Sequence, residues 1–308
     1  MKIAVYGSGG VGGYFGGLLA NASHDVTFIA RGEHLRAIQQ RGLRVRSVNG
    51  DFDVAPARAS DDPSEVGPVD YVVVGLKQYH LASAAPDIAP LVGSKTTVVP
   101  LLNGVDAHEI LIDHLGRRHV VGGFCSLSTM VEKPGLIRQT TQLRRVVMGE
   151  LDRSKSERVE RLVQAWAETG VEAIHADDIF VALWTKLAFI ASFGGVTALA
   201  RCTAGELRAT SHTRDIFISA MREVESLARK LRIDLATNIV ETIVEMVDNL
   251  EFGTTTSMQR DVEAGRPFEL EAFSGTIHRM AQEANVETPV HSMLYALLKP
   301  ALDKAMKV

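Results

Sequence analysis

Cysteine is nearly absent from this chain: Cys125 and Cys202 are the only two in 308 residues, far apart and in no C-x-x-C arrangement. That excludes a disulfide framework and argues against a structural zinc site. The ten histidines are scattered without an H-x-x-x-H pair, so no metal centre is expected. Neither charge dominates. The 33 basic and 37 acidic residues leave a net charge of −4, which gives no electrostatic ground for binding nucleic acid or an anionic membrane. Repeats and low-complexity segments are missing as well. No leader precedes the first apolar run, so a cytoplasmic protein is expected. One stretch, Ile179 to Ala200, is about long enough to span a bilayer. Its central lysine, its Gly-Gly pair and its lack of a basic flank read instead as a buried core helix of a soluble domain.

Glycine, by contrast, is concentrated at one place. Ile3, Ala4, Val5 and Tyr6 form an apolar run suited to a buried parallel strand, and Tyr14, Phe15, Leu18 and Leu19 follow at helical spacing. Between them stand Gly7, Ser8, Gly9, Gly10, Val11 and Gly12, with Gly7, Gly9 and Gly12 in the G-x-G-x-x-G spacing of a dinucleotide-binding turn. The first glycine permits a tight turn, the second lets backbone approach a pyrophosphate, and the third lets helix and strand pack closely. The helix amino terminus then offers unpaired N–H groups and partial positive charge to the phosphates.

The second strand, Asp25 to Arg31, ends where an acid would grasp the ribose hydroxyls of NAD. Arg31 stands there instead, and its planar fork suits a 2′-phosphate, unless it is simply a solvated strand end. NADP(H) is the expected cofactor.

A length of 308 residues favours two domains. The first half alternates apolar strands with amphipathic helices, the pattern of a doubly wound α/β domain. Strand signals run through Tyr71–Lys77, Thr96–Gly104 and 119–150, and a capped amphipathic helix over 156–170 precedes a last strand at 171–176. From about Asp177 the texture turns helical. The expected division is a nucleotide-binding domain over 1–175 and a helical domain over 176–308. Substrate is expected between the domains, outside the carboxyl ends of the strands.

Three places could carry chemistry. Lys186 lies among Phe180, Val181, Leu183, Trp184, Leu187, Phe189 and Ile190, so its ammonium either snorkels outward or points into a cavity. In a cavity its pKa would fall toward neutrality, where a proton donor works best. Lys77 and Asn103 close strands at the sheet edge where ligands bind, though Asn-Gly is also an ordinary turn. Over 255–275, Ser257 and Asp261 share a helical face, and Glu269 begins the next helix after the turn at Gly265-Arg266-Pro267. A helical hairpin with a surface carboxylate accounts for that stretch equally well.

Taken together, "YGSGGVGGYF", "FIARGEHLRAI", "GLKQYH", "LLNGVD", "LWTKLAFIASFGGVTALARCTAGEL" and "TSMQRDVEAGRPFELEAFSG" resemble the ketopantoate reductase family across nearly the whole chain. The resemblance implies a Rossmann domain followed by a helical domain like that of 6-phosphogluconate dehydrogenase. It also implies NADPH-dependent reduction of a 2-keto acid to a 2-hydroxy acid on the way to pantothenate. On this resemblance Lys186 is the proton donor, Gly7 to Gly12 meet the pyrophosphate, and Arg31 meets the 2′-phosphate. Lys77 and Asn103 line cofactor and substrate, Ser257 binds substrate, and Glu269 orders the site around both. Helical domains of this kind often associate, which leaves room for a homodimer that nothing in the sequence specifies.

The chain also departs from the family pattern. Ile190, Gly194 and Ala204 stand where family members carry substrate-binding asparagines. Lost hydrogen-bonding groups change discrimination between substrates, so a bulkier or more apolar 2-keto acid is the alternative to ketopantoate. A non-catalytic NADP-binding sensor is a further alternative, against which the retained Lys186 and Glu269 argue.

Overall fold

The glycine turn joins the first strand, β1 (Lys2–Tyr6), to helix α1 (Gly10–Asn21), and most of the first 179 residues is built around that pair. The computed structural model describes residues 1–307. The chain continues through β2 (Asp25–Ile29), α2 (Gly32–Arg41), β3 (Leu43–Ser47), β4 (Phe52–Val54), β5 (Arg58–Ser60), α3 (Pro63–Val66) and β6 (Tyr71–Val74). Next come α4 (Leu81–Ile88), β7 (Thr97–Pro100), α5 (Ala107–Leu115), β8 (Gly122–Ser126), β9 (Thr129–Lys133), β10 (Leu136–Gln139), β11 (Arg145–Gly149), α6 (Glu157–Ala167) and β12 (Glu172–His175).

Five of these strands form an all-parallel sheet in the order β5-β2-β1-β6-β7. Tyr71, Val72, Val73 and Val74 are all buried, as a central parallel strand covered on both faces must be. The strand order reverses beside β1, so the crevice outside its carboxyl end is where a doubly wound sheet binds its ligand.

The remaining strands form two other sheets, one of which is joined to β7 by a single parallel bridge between Val98 and Val120. β4-β3-β10-β9 form a second sheet and β12-β11-β8 a third. Helix α1 explains its own glycine content by packing against several strands at once. A Cβ on Gly16 would lie 2.5 Å from Val5 Cγ2, on Gly13 2.9 Å from Ile137, and on Gly17 3.2 Å from Phe52. Trp166 of α6 is fully buried and its indole N–H donates to the Phe15 carbonyl at 3.2 Å, fixing α6 on α1. Ser156 caps α6 by accepting from the Val159 N–H.

The chain divides into two compact units, Met1–Ile179 and Phe180–Val308. The second is helical: α7 (Ile179–Ala200), α8 (Ala204–Ala209), α9 (Ser211–Lys230), α10 (Ile239–Asp248), α11 (Ser257–Glu263), α12 (Thr276–Ala284) and α13 (Pro289–Ala305). The long apolar α7 is the one helix among the described residues with the length and composition to cross a membrane, and 61% of its most apolar window is buried within the protein.

Two of the buried histidines, His108 in the first unit and His291 in the second, make the fold acid-sensitive. His291 is fully buried, with Nδ1 at 3.2 Å from Ser274 Oγ and Nε2 at 3.1 Å from the Ala220 carbonyl. Burial lowers its pKa to about 4, and burial assisted by Arg117 lowers that of His108 to about 4. The unfolded chain takes up these protons near pH 6.5, the folded chain only near 4. Stability therefore falls as pH falls through that window, by about 2 kcal/mol per histidine at pH 5. Urea midpoints measured from pH 7 to 4.5 should drop accordingly, and a flat profile would contradict this origin.

Candidate active site

Parallel strands end on a common edge, and that edge carries the candidate cofactor residues of the first unit, Glu269 belonging to the second. Gly7 to Gly12 follow β1, Arg31 follows β2, and Lys77 and Asn103 stand three residues beyond the ends of β6 and β7, in loops rather than in strand. The last two loops are tied together where Gln78 Nε2 donates to Asp106 Oδ1 at 3.1 Å.

In the turn itself, Gly7 has φ +90°, a conformation that only glycine adopts without strain. A Cβ on Gly12 would lie 2.2 Å from the Gly7 carbonyl oxygen and 2.9 Å from Val5 Cγ1, so helix and strand meet backbone to backbone. Gly75, just past β6, closes the same contact, its own notional Cβ falling 2.8 Å from Gly12 Cα. Around a Cβ on Gly9, by contrast, no atom comes within 4 Å, so this backbone faces open space. Gly9 is also the N-cap of α1. No side chain caps that terminus, and no acid stands in its first turn.

Beside it, Thr129 Oγ1 is buried without a hydrogen-bond partner, 2.3 Å from where a Cβ on Gly10 would stand. An uncapped helix end, an open backbone and an unpaired hydroxyl together fit a pyrophosphate. Ser8 contributes differently: its N–H and its hydroxyl both go to the Ile29 carbonyl, at 3.2 and 3.0 Å, so its side chain anchors the turn to β2.

Three residues at this edge escaped the sequence patterns. His34 of α2 has Nε2 at 2.8 Å from the Ser8 carbonyl, and its Nδ1 accepts from the Gly135 N–H at 3.2 Å. Burial lowers its pKa, which favours the neutral ring this bridge needs, with the proton on Nε2. It therefore ties the glycine turn to the β9–β10 turn. Tyr6 and Asp87 are the other two: the Tyr6 hydroxyl donates to Asp87 Oδ2 at 3.4 Å, and Arg31 Nη2 donates to the same oxygen at 3.2 Å.

In the helical unit, Lys186, Ile190 and Gly194 follow one another at four-residue spacing on α7, along a single ridge of the helix. Lys186 lies in a half-buried stripe with Val181, Ala182, Thr185, Phe189 and Ile190, and the helix is fully buried from Ala191 to Ala198. The end of this ridge meets α11. A Cβ on Gly194 would make ordinary contacts with Met258 at 3.8 Å and Phe273 at 3.9 Å, and Thr197 Oγ1 lies 3.4 Å from Thr256 Oγ1. Ser257, the first residue of α11, is exposed. Ala204 is buried at the start of α8, where Thr203 and Glu206 form a capping box.

Glu269 is buried, 5% exposed, but it does not begin a helix. It stands two residues before a π-helical turn, Glu271–Gly275. Glu271 holds that turn by accepting from Arg279 Nη1 at 2.7 Å, Lys299 Nζ at 2.9 Å and the Tyr295 hydroxyl at 3.0 Å. These hydrogen bonds outweigh its burial and keep the Glu271 carboxyl below its usual pKa. Such π turns recur at functional positions because they re-aim the residues beside them.

Comparison with known proteins agrees along the whole chain. Residues 3–153 match the family described as ketopantoate reductase PanE/ApbA, and residues 178–301 match ketopantoate reductase PanE/ApbA C terminal. The 2-dehydropantoate 2-reductase of Mesorhizobium japonicum is 32% identical, covering 97% of each chain. The crystal structure of 2-dehydropantoate 2-reductase from Geobacter metallireducens GS-15 superposes with a TM-score of 0.92 at 31% identity, over 98% of this chain and 100% of that one. The ternary structure of D-mandelate dehydrogenase with NADH and anilino(oxo)acetate shares the fold, with a TM-score of 0.90 at 24% identity over 99% of each chain.

Proposed function

The chain belongs to the ketopantoate reductase family of oxidoreductases, and from that premise we propose that it reduces ketopantoate to pantoate with NADPH, using Lys186 as proton donor. The observation that carries the cofactor half of this reading is the glycine turn, with its uncapped α1 terminus and the open flank of Gly9. Bound nicotinamide supplies the hydride that reduces the keto carbon. The residues of this chain do the rest. The N–H groups opening α1 hold the pyrophosphate, and Arg31 takes the 2′-phosphate through its fork. As negative charge develops on the keto oxygen, the Lys186 ammonium stabilises it and transfers a proton to it, leaving a neutral amine and a hydroxyl. Glu269 and Asn103 order the reacting groups, and Ser257 binds the substrate. Among substrates, ketopantoate is favoured by the relatives that carry the name 2-dehydropantoate 2-reductase.

The test is NADPH oxidation followed at 340 nm (the nicotinamide absorbance) with ketopantoate beside a panel of bulkier 2-keto acids. Ketopantoate should be turned over fastest. Turnover confined to the bulkier acids would overturn the substrate and point to the apolar surroundings of Gly194, formed by Met258 and Phe273. In the same assay Arg31→Ala should raise the KM for NADPH by roughly tenfold and leave that for NADH within twofold, as loss of a charge-assisted hydrogen bond predicts.

A further inference from the structure

The end of β2 lacks an acid in sequence, yet the folded chain supplies one there. Asp87 comes from α4, 56 residues beyond Arg31. Its Oδ2 accepts from Arg31 Nη2 at 3.2 Å and from the Tyr6 hydroxyl at 3.4 Å. Tyr6 is the last residue of β1, paired in register with Ile29 at the end of β2. The carboxylate therefore sits at the carboxyl ends of two adjacent parallel strands, the region where Rossmann-type sites read the adenosine ribose. It sits on the residue assigned to the 2′-phosphate under the NADPH reading, on which this inference rests.

We propose that Asp87 is a specificity-determining residue that tempers the preference for NADPH over NADH by competing with the 2′-phosphate for the Arg31 guanidinium. The side chains of Arg31 and Asp87 are 74% and 51% exposed. An ion pair so open to water adds little to the stability of the fold, so Arg31 can exchange partners at small cost. A phosphate near neutral pH carries more charge than a carboxylate and offers more acceptor oxygens, so it displaces Asp87 from the fork. The displaced carboxylate remains close by, held by Tyr6, and repels the phosphate. Toward NADH the same group is favourable, because a ribose 2′-hydroxyl can donate to it. One carboxylate thus weakens one cofactor and supports the other.

Asp87→Asn removes the charge and keeps an acceptor for Tyr6. Dissociation constants for NADPH and NADH, read by nicotinamide fluorescence on wild type, Asp87→Asn and Arg31→Ala, test the proposal. Thermal midpoints should confirm that the exposed substitutions leave the fold intact, and Asp87→Ser serves as a second charge-removing variant. In Asp87→Asn, NADPH should bind about five- to twentyfold more tightly at low salt, with the gain shrinking as salt screens it. NADH should bind no better than to wild type. If both Asp87 variants leave the ratio of the two constants within twofold of wild type while Arg31→Ala weakens NADPH, the role of Asp87 is overturned and the NADPH reading stands. If Arg31→Ala leaves NADPH binding unchanged, the NADPH reading itself falls, and the role of Asp87 with it.

Discussion

Lys186→Ala should lower the turnover of ketopantoate by about a hundred- to ten-thousandfold, the range that positioned proton transfer commands, while NADPH affinity stays within about threefold. The asymmetry follows from where the residue stands. Lys186 occupies the half-buried stripe of α7 rather than its buried faces, so shortening it to alanine opens no core cavity, and alanine is the best helix former. The pyrophosphate contacts are assigned to the glycine turn and the N–H groups opening α1, to which Lys186 does not belong. Lys186→Arg separates the two duties assigned to the ammonium. A guanidinium keeps the positive charge that stabilises the oxyanion, but it holds its proton far more tightly than an ammonium and is a poor proton donor. Turnover of the arginine variant should fall between those of alanine and wild type. An alanine variant that retains more than a tenth of wild-type turnover would remove Lys186 from the chemistry.

Local chemistry made much of this legible in the sequence. The glycine turn, its flanking strand and helix and the Ser156 cap each depend on a few consecutive residues, and the structure has them where the pattern indicates. What the sequence hid depends on partners far along the chain. β3 is five residues long and carries two arginines, and besides its nearby partner β4 it pairs through Arg44 to Ser47 with Leu136 to Gln139 some ninety positions later. The strands over 119–150 were readable one by one, but their division between two further sheets was not. Glu269 read as a helix start because the following residues favour a helix. The π turn that comes instead is fixed by Glu271 with Tyr295 and Lys299, more than twenty residues on. Asp87 stands in no motif of its own, and only the fold brings it to Arg31. Ser8 was grouped with the phosphate contacts by its neighbours, whereas its hydroxyl goes to Ile29.

Gly12→Ala should lose NADPH affinity by at least about a hundredfold and lower the thermal midpoint as well, because the obstructing atom is backbone. The added Cβ would stand 2.2 Å from the Gly7 carbonyl oxygen and 2.9 Å from Val5 Cγ1. A flexible side chain could swing away, but the Gly7 carbonyl belongs to the turn that shapes the site. Gly75 closes the far side, so α1 cannot slip toward β6 to make room. Relief therefore requires lifting α1 from β1 or rotating the Gly7 peptide, and either motion re-aims the N–H groups that meet the pyrophosphate. Overpacking of this kind costs about 1–3 kcal/mol in stability, and the displaced donors account for the loss in binding. Gly9→Ala is the matching control. Its φ of −71° suits any L-residue, and no atom lies within 4 Å of the new methyl, so the thermal midpoint should hold. Its methyl would project into the open space where a phosphate approaches, so NADPH affinity alone should fall. Fluorescence titration and thermal melts on both variants distinguish the two cases: normal binding by Gly12→Ala would refute the backbone-contact argument, and normal binding by Gly9→Ala would move the dinucleotide away from this turn.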